Sequence, residues 1–356
     1  MIPVARPRHP ASRLFLSARL LAALAALSVV VPPSAAGPLR ERLRERLQAD
    51  DASGGPLSDL GGGEALSCSD WSRRVARVQA LAGAGLRGPA ADLSDVAYGA
   101  GPREQLDVFV PHDRSHAGGA PLIVMVHGGG WCVGDKAMAG VTTHKVDRWR
   151  PHGFVFVSLN YPMVGDGADA RAQAAAVARA VAFVQRHAAD WGADPARVIL
   201  MGHSAGAHLV SLVNADAELR RQAGVGTLLG TVSLDAGAID VVRQMPLVYP
   251  FLKTRYREAF GTSEAGWLAA SPYHRLGRDA APWLGVCSTQ RQDDPCGQAR
   301  AYADRSVRLG LRAEVLPEAM NHGALNADLG LPGPYTQAVE RFLAGLDPAV
   351  AARLGR

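Results

Sequence analysis

With 356 residues, 48% of them hydrophobic, the chain can bury one large α/β core, and it carries no linker that would divide it into two well-separated domains. The pI near 9.2 suggests a polyanion partner until the charge is located. Residues 1–36 hold Arg6, Arg8, Arg13 and Arg19 and no acid, so subtracting +4 from the formal +5 leaves about +1, which excludes an electrostatic footprint for nucleic acid.

From the N-terminus, a basic segment precedes an apolar run, Leu20 to Val31, and then Ser34-Ala35-Ala36, small residues of the kind a signal peptidase accepts. Residues 1–36 therefore read as an export signal, with a secreted or periplasmic destination. The apolar run is short for a bilayer span and Arg19 interrupts it upstream, so no stable membrane insertion is expected after cleavage. Residues 37–92 read as a helical extension with a Gly-rich tether: a charged helix at 38–47, the tether at 51–63, and a helix capped by Asp70 that runs to Ala82. Gly83-Ala84-Gly85-Leu86-Arg87-Gly88 matches G-x-G-x-x-G, but it follows a helix and opens none, so no dinucleotide cofactor is expected. Neither C-x-x-C nor H-E-x-x-H occurs, and no metal is expected. Four cysteines, at 68, 132, 287 and 296, allow three pairings. Cys287 and Cys296 bracket one short loop in a chain expected to cross an oxidising compartment, which favours their pairing and leaves Cys68 with Cys132.

From residue 93 the pattern becomes regular, with strands expected at 93–98, 105–110, 122–127, 154–160, 197–203, 229–235, 283–289 and 312–316. Solid apolar runs such as Leu122-Ile123-Val124-Met125-Val126 are buried on both faces, as in a parallel sheet sandwiched by helices. Helical spacing of Val177, Val181, Val184 and Ala188 marks the clearest helix, at 168–190. The first two strands, joined by a Gly-Pro turn, should be antiparallel. The expected fold is a mostly parallel, doubly wound eight-stranded sheet with helices on both faces. Residues 238–276, with Pro246, Pro250 and Pro272, are too long for a simple crossover and read as an insertion leaning over the sheet's functional edge.

The chemistry gathers around Gly202-His203-Ser204-Ala205-Gly206, which follows an apolar strand and opens a helix. Such a sharp turn holds Ser204 in strained backbone geometry and exposes its hydroxyl, with small residues two positions to either side. A serine hydroxyl is a poor nucleophile without a base and a group that orients the base. His322, just after the last strand, takes the base position. The acid is expected in the loop after the seventh strand, where Asp294 at an Asp-Pro step is preferred and Asp293 is the rival, the other Asp capping the next helix. Amides of Gly129, Gly130 and Ala205 would stabilise an oxyanion, each such donor lowering a barrier by roughly 3 kcal/mol. His127 would hold the glycine loop in shape, and His203 and His208 read as packing residues beside the serine. Phosphate binding by Gly129 to Lys136 is excluded because the loop lacks its G-K-[ST] end.

Together, His127-Gly128-Gly129-Gly130-Trp131, Gly134-Asp135-Lys136, Asn160-Tyr161, Asp194-Pro195-Ala196-Arg197-Val198 and the serine turn resemble the α/β-hydrolase esterases. The similarity spans residues 93–346 and points to the carboxylesterase, feruloyl-esterase-like and kynurenine-formamidase-like branches. It implies the α/β-hydrolase fold, with Gly129, Gly130 and Ala205 forming the oxyanion hole. The chain departs from the hormone-sensitive-lipase-like pattern after Asn160-Tyr161, where Pro162-Met163-Val164-Gly165 replaces Arg-Leu-Ala-Pro, and again ahead of Asp293, where extra residues intervene. The expected function is secreted serine hydrolysis of a small-molecule carboxylic ester through an acyl-enzyme. Formamidase-type amide hydrolysis is the second reading, and a non-catalytic binding protein on the same fold the third. Nothing in the sequence assigns an acyl chain length or an oligomeric state.

Overall fold

The computed structural model describes residues 66–82, 87–113 and 119–356. The expected export signal, the 38–47 helix, the Gly-rich tether and most of the Gly83–Gly88 run lie outside the described residues.

The first described helix, α1 (Cys68–Ala82), starts two residues before the expected Asp70 cap. Ser67 takes the capping position: its Oγ accepts from the Asp70 amide at 3.1 Å and donates to the Asp70 carboxylate at 2.6 Å. Asp70 thus lies inside the first turn, where a carboxylate favours the positive end of the helix.

The strands are β1 (Leu93–Ala97), β2 (Gln105–Phe109), β3 (Ala120–Val126), β4 (Val155–Leu159), β5 (Ala193–His203), β6 (Gly230–Leu234), β7 (Trp283–Ser288) and β8 (Ala313–Glu318). They form one sheet in the order β1-β2-β4-β3-β5-β6-β7-β8. β2 runs antiparallel to β1 and β4, and every other pairing is parallel. All eight expected strands are present, with ends shifted by a few residues.

Period-2 alternation sends β3 side chains to two cores. Leu122, Val124 and Val126 join Val177, Val181 and Val184 of α3 (Ala170–His187) and Leu209 and Val213 of α4 (Ala205–Ala215) on one face. Ile123 and Met125 join Val146 and Trp149 of α2 (Ala139–Trp149) and Val339 and Phe342 of α12 (Pro334–Ala344) on the other. Each such aliphatic side chain stabilises by about 1.5–3 kcal/mol when fully buried, which explains why β3 contains no polar residue. α3 is capped by Asp169, whose side chain accepts from the Ala172 amide at 2.8 Å.

Between β6 and β7 the chain forms α6 (Val241–Leu247), α7 (Lys253–Phe260), α8 (Glu264–Ala270) and α9 (Pro272–Arg275), with α5 (Ala217–Ala223) lying earlier, after α4. After β7 come α10 (Pro295–Arg308), then β8, and α11 (His322–Ala327). Disulfides join Cys287 to Cys296 and Cys68 to Cys132, the expected pairing. The second ties α1 to the loop that follows β3. Among the described residues no helix is long and apolar enough to cross a membrane.

Candidate active site

In a parallel sheet the crevice beyond the C-terminal strand ends is where ligands bind, and three strand ends meet there. β5 leads directly into Ser204, which has φ 55° and ψ −117°, an unfavourable backbone state for a residue with a Cβ. Such a conformation costs about 1–3 kcal/mol and persists only where its surroundings enforce it. The Ser204 amide donates to the Leu234 carbonyl at 3.0 Å, and the Ser204 carbonyl accepts from the amides of His208 and Gly237 at 3.1 Å each. A Cβ on Gly206 would overlap the carbonyl oxygens of Val126 and His127, because the first turn of α4 crosses the end of β3 at close range. Gly206→Ala is therefore expected to destabilise by about 1–3 kcal/mol and to lower activity by displacing the turn; chemical denaturation beside a rate assay measures both.

His322, the first residue of α11, places Nε2 at 2.9 Å from Ser204 Oγ. Its Nδ1 donates to Asp235 Oδ2 at 2.6 Å. The acid therefore comes from the end of β6, not from the loop after β7, and this corrects the expectation for both Asp294 and Asp293. Asp294 is the N-cap of α10, accepting from the Gly297 amide at 3.0 Å and pairing with Arg243 at 2.5 Å, with 42% of its side chain exposed. Asp293 is buried, but its partners are Arg291 and Gln244. The reason lies in register: His203 pairs with Leu234, so the residues that follow them, Ser204 and Asp235, leave adjacent strands side by side. Asp235 carried a usable signal, a carboxylate ending the short, uncharged strand Gly-Thr-Val-Ser-Leu at the crevice edge of the sheet.

Asp235 is fully buried. Burial alone would raise its carboxyl; the Arg291 charge, the His322 hydrogen bond and the Ser288 amide at 2.9 Å reverse that and hold it far below the usual carboxylate range. His203 packs under the triad with its ring 4.5 Å from that of His322 and its Nε2 donating to the His322 carbonyl at 2.8 Å. Burial, and then the neighbouring His322, drive His203 well below its ordinary value, so it is neutral. His208 is a packing residue: it accepts from Trp131 Nε1 at 3.2 Å, donates to the Ala270 carbonyl at 2.8 Å and is pushed down to about 4 by burial.

The loop after β3 lies against the serine turn, since a Cβ on Gly128 would touch Ser204 Cβ. Gly129 (φ 127°) and Gly130 (φ 60°) adopt left-handed backbone that L side chains resist, and the Gly129 carbonyl accepts from the Cys132 and Val133 amides. His127 holds the loop from below: it stacks on Tyr161 at 4.6 Å, and its Nε2 lies 3.1 Å from Asn160 Oδ1. Asn160 also accepts from the Lys136 amide at 2.8 Å and donates to Asp135 at 3.0 Å. Thus three separate sequence motifs converge on one loop. Trp131, buried at its far end, packs edge-on against Tyr256 and Phe260 of α7.

The BD-FAE family model matches residues 106–236, a stretch that includes Ser204 and Asp235 and stops before His322. Esterase LipQ of Mycobacterium tuberculosis is 30% identical over 227 residues, 60% of this chain and 52% of that protein. A probable isoprenylcysteine alpha-carbonyl methylesterase of Arabidopsis thaliana is 23% identical over 267 residues, covering 69% of this chain and 53% of the relative. The chain thus spans about half the length of these curated relatives. Among solved structures, Thermogutta terrifontis esterase 2 phosphonylated by sarin superposes with a TM-score of 0.60 at 21% identity, over 72% of this chain and 96% of that one. The sheet order and the strand-turn-helix at Ser204 define the fold, which that solved structure shares: a mostly parallel eight-stranded sheet with the α/β-hydrolase topology.

Proposed function

We propose that the chain is a serine hydrolase that cleaves carboxylic esters through an acyl-enzyme. The observation that carries this reading is the unbroken relay Asp235–His322–Ser204, with hydrogen bonds of 2.6 and 2.9 Å. His322 Nε2 takes the Ser204 proton as Oγ attacks the ester carbonyl, and Asp235 stabilises the imidazolium that forms. The imidazolium then protonates the departing alkoxide. Water, deprotonated by the same nitrogen, attacks the acyl-serine and releases the acid. Amides of Ala205, Gly129 and Gly130 act as the oxyanion hole; the positive-φ glycine backbone and the close approach of the Gly128 backbone to the serine turn, where a Cβ would crowd Ser204, support this assignment. The relatives named above bear ester-hydrolase names, which supports the same chemistry.

In this reading residues 93–346 are the catalytic unit, 238–276 are its cap, 37–92 an extension and 1–36 an export signal. The packing of Tyr256 and Phe260 on Trp131 supports the cap, and two disulfides support export into an oxidising compartment. Aryl esters of increasing acyl length, assayed beside N-formyl anilides, test the function. Esters should show the higher kcat/KM, with a burst of released phenol wherever deacylation is slow. A higher kcat/KM on the formyl amides would replace esterase with formamidase.

A further inference from the structure

The loop expected to supply the acid instead places an arginine between two carboxylates. Arg291 Nη1 lies 3.1 Å from Asp235 Oδ2, the same oxygen that accepts from His322, and also donates to the Asp235 and Ala236 carbonyls at 3.3 Å. Its Nη2 and Nε grip Asp293 in a fork at 2.5 and 2.9 Å. Asp293 accepts in addition from Gln244 Nε2 of α6 at 3.1 Å, and the Cys287–Cys296 disulfide closes the loop. Asp235 is fully buried and Asp293 nearly so.

A guanidinium on the triad carboxylate has opposed effects. It offsets the desolvation of Asp235 and fixes its orientation, yet it also cancels the negative charge that should stabilise an imidazolium. Adding Asp293 returns the cluster to a net −1. We propose that Arg291 and Asp293 form a positioning pair, in which Arg291 keeps Asp235 ionised and aimed at His322 while Asp293 restores the negative charge that imidazolium formation requires. The proposal rests on the serine-hydrolase reading above.

Both members of the arginine–aspartate contact behave accordingly: Asp235 is held far below its ordinary range, and Arg291, despite the opposing pull of burial, is raised by the two carboxylates. The other titratable groups around the cluster come from β5 (His203), α2 (Lys145), the β6–β7 segment (Tyr249 and Tyr256), the end of β8 (Glu318) and α12 (Tyr335). His203 is kept neutral by burial, and the tyrosines are raised above their ordinary value mainly by burial. Burial also raises Glu318, and it pushes Lys145 down to about 7. None of these groups is altered by the variants below.

The test follows the rate at which a fluorophosphonate modifies Ser204 as a function of pH, a reaction that requires the neutral imidazole but no knowledge of the natural ester. Asp293→Asn leaves the cluster with no net charge. Its acidic limb should move to lower pH by about one unit and its plateau rate should fall about tenfold, the two being the same loss of imidazolium stabilisation. Adding Arg291→Gln to Asp293→Asn returns the net charge to −1, and the limb should return towards that of the parent. A purely structural role would lower thermal stability and rate together and leave the limb in place. An unmoved limb in Asp293→Asn overturns the proposal, as does a limb that stays displaced in a folded double variant. If the double variant fails to fold, the shape-conserving Asp293→Asn decides alone. A parent that does not react at Ser204 overturns the serine-hydrolase reading itself, and this pair with it.

Discussion

Ser204→Ala is expected to fold as the parent does and to lose ester hydrolysis by about a millionfold in kcat, the scale found when a triad nucleophile is removed. The serine hydroxyl meets His322 Nε2 at 2.9 Å at the end of a strained turn, and alanine has no oxygen to attack with. What remains after its removal is oxyanion stabilisation and binding, which act on a water far less well placed. Alanine keeps the backbone contacts that enforce the turn, namely the Ser204 amide to Leu234 and the Ser204 carbonyl to His208 and Gly237. The melting temperature should therefore hold. Retention of more than about 1% of the parent turnover in a verified sample would mean that another group performs the attack.

The second large effect separates three aspartates. Asp235→Asn should lower kcat by up to about ten-thousandfold with little change in KM, because an amide facing Nδ1 favours the wrong imidazole tautomer and no longer balances the imidazolium. Asp294→Asn should stay within about twofold of the parent, since its work is to cap α10 and asparagine caps nearly as well. Asp293→Asn should fall between them, acting through Arg291. Steady-state rates of the three single variants rank them, and an active Asp235→Asn beside a crippled Asp294→Asn would restore the acid to the loop after β7.

The arrangement also explains why residues remote in sequence share one fate. His127, Asp135, Lys136 and Asn160 serve the glycine loop; Arg291, Asp293 and Gln244 serve the carboxylate. Each of these side chains has a hydrogen-bond partner, as the burial of polar groups requires.

Much of this molecule is determined by local sequence. Solid apolar runs such as 122–126 cannot face water on either side, so they specify interior strands of a parallel sheet, and small residues flanking Ser204 specify the turn that exposes it. The position of His322 after the last strand and the short Cys287–Cys296 loop are equally local signals. The acid was decided only in three dimensions. An orienting carboxylate is defined by its distance to an imidazole, and two strand ends, those of β6 and β7, both come within reach of it. The β6–β5 register sets Asp235 beside Ser204, while the αL conformation of Asp294 (φ 55°, ψ 48°) turns its side chain back onto its own helix, and Arg291 captures Asp293. Sequence spacing contains the strands that bring these groups together; it does not contain the distances between groups on different strands.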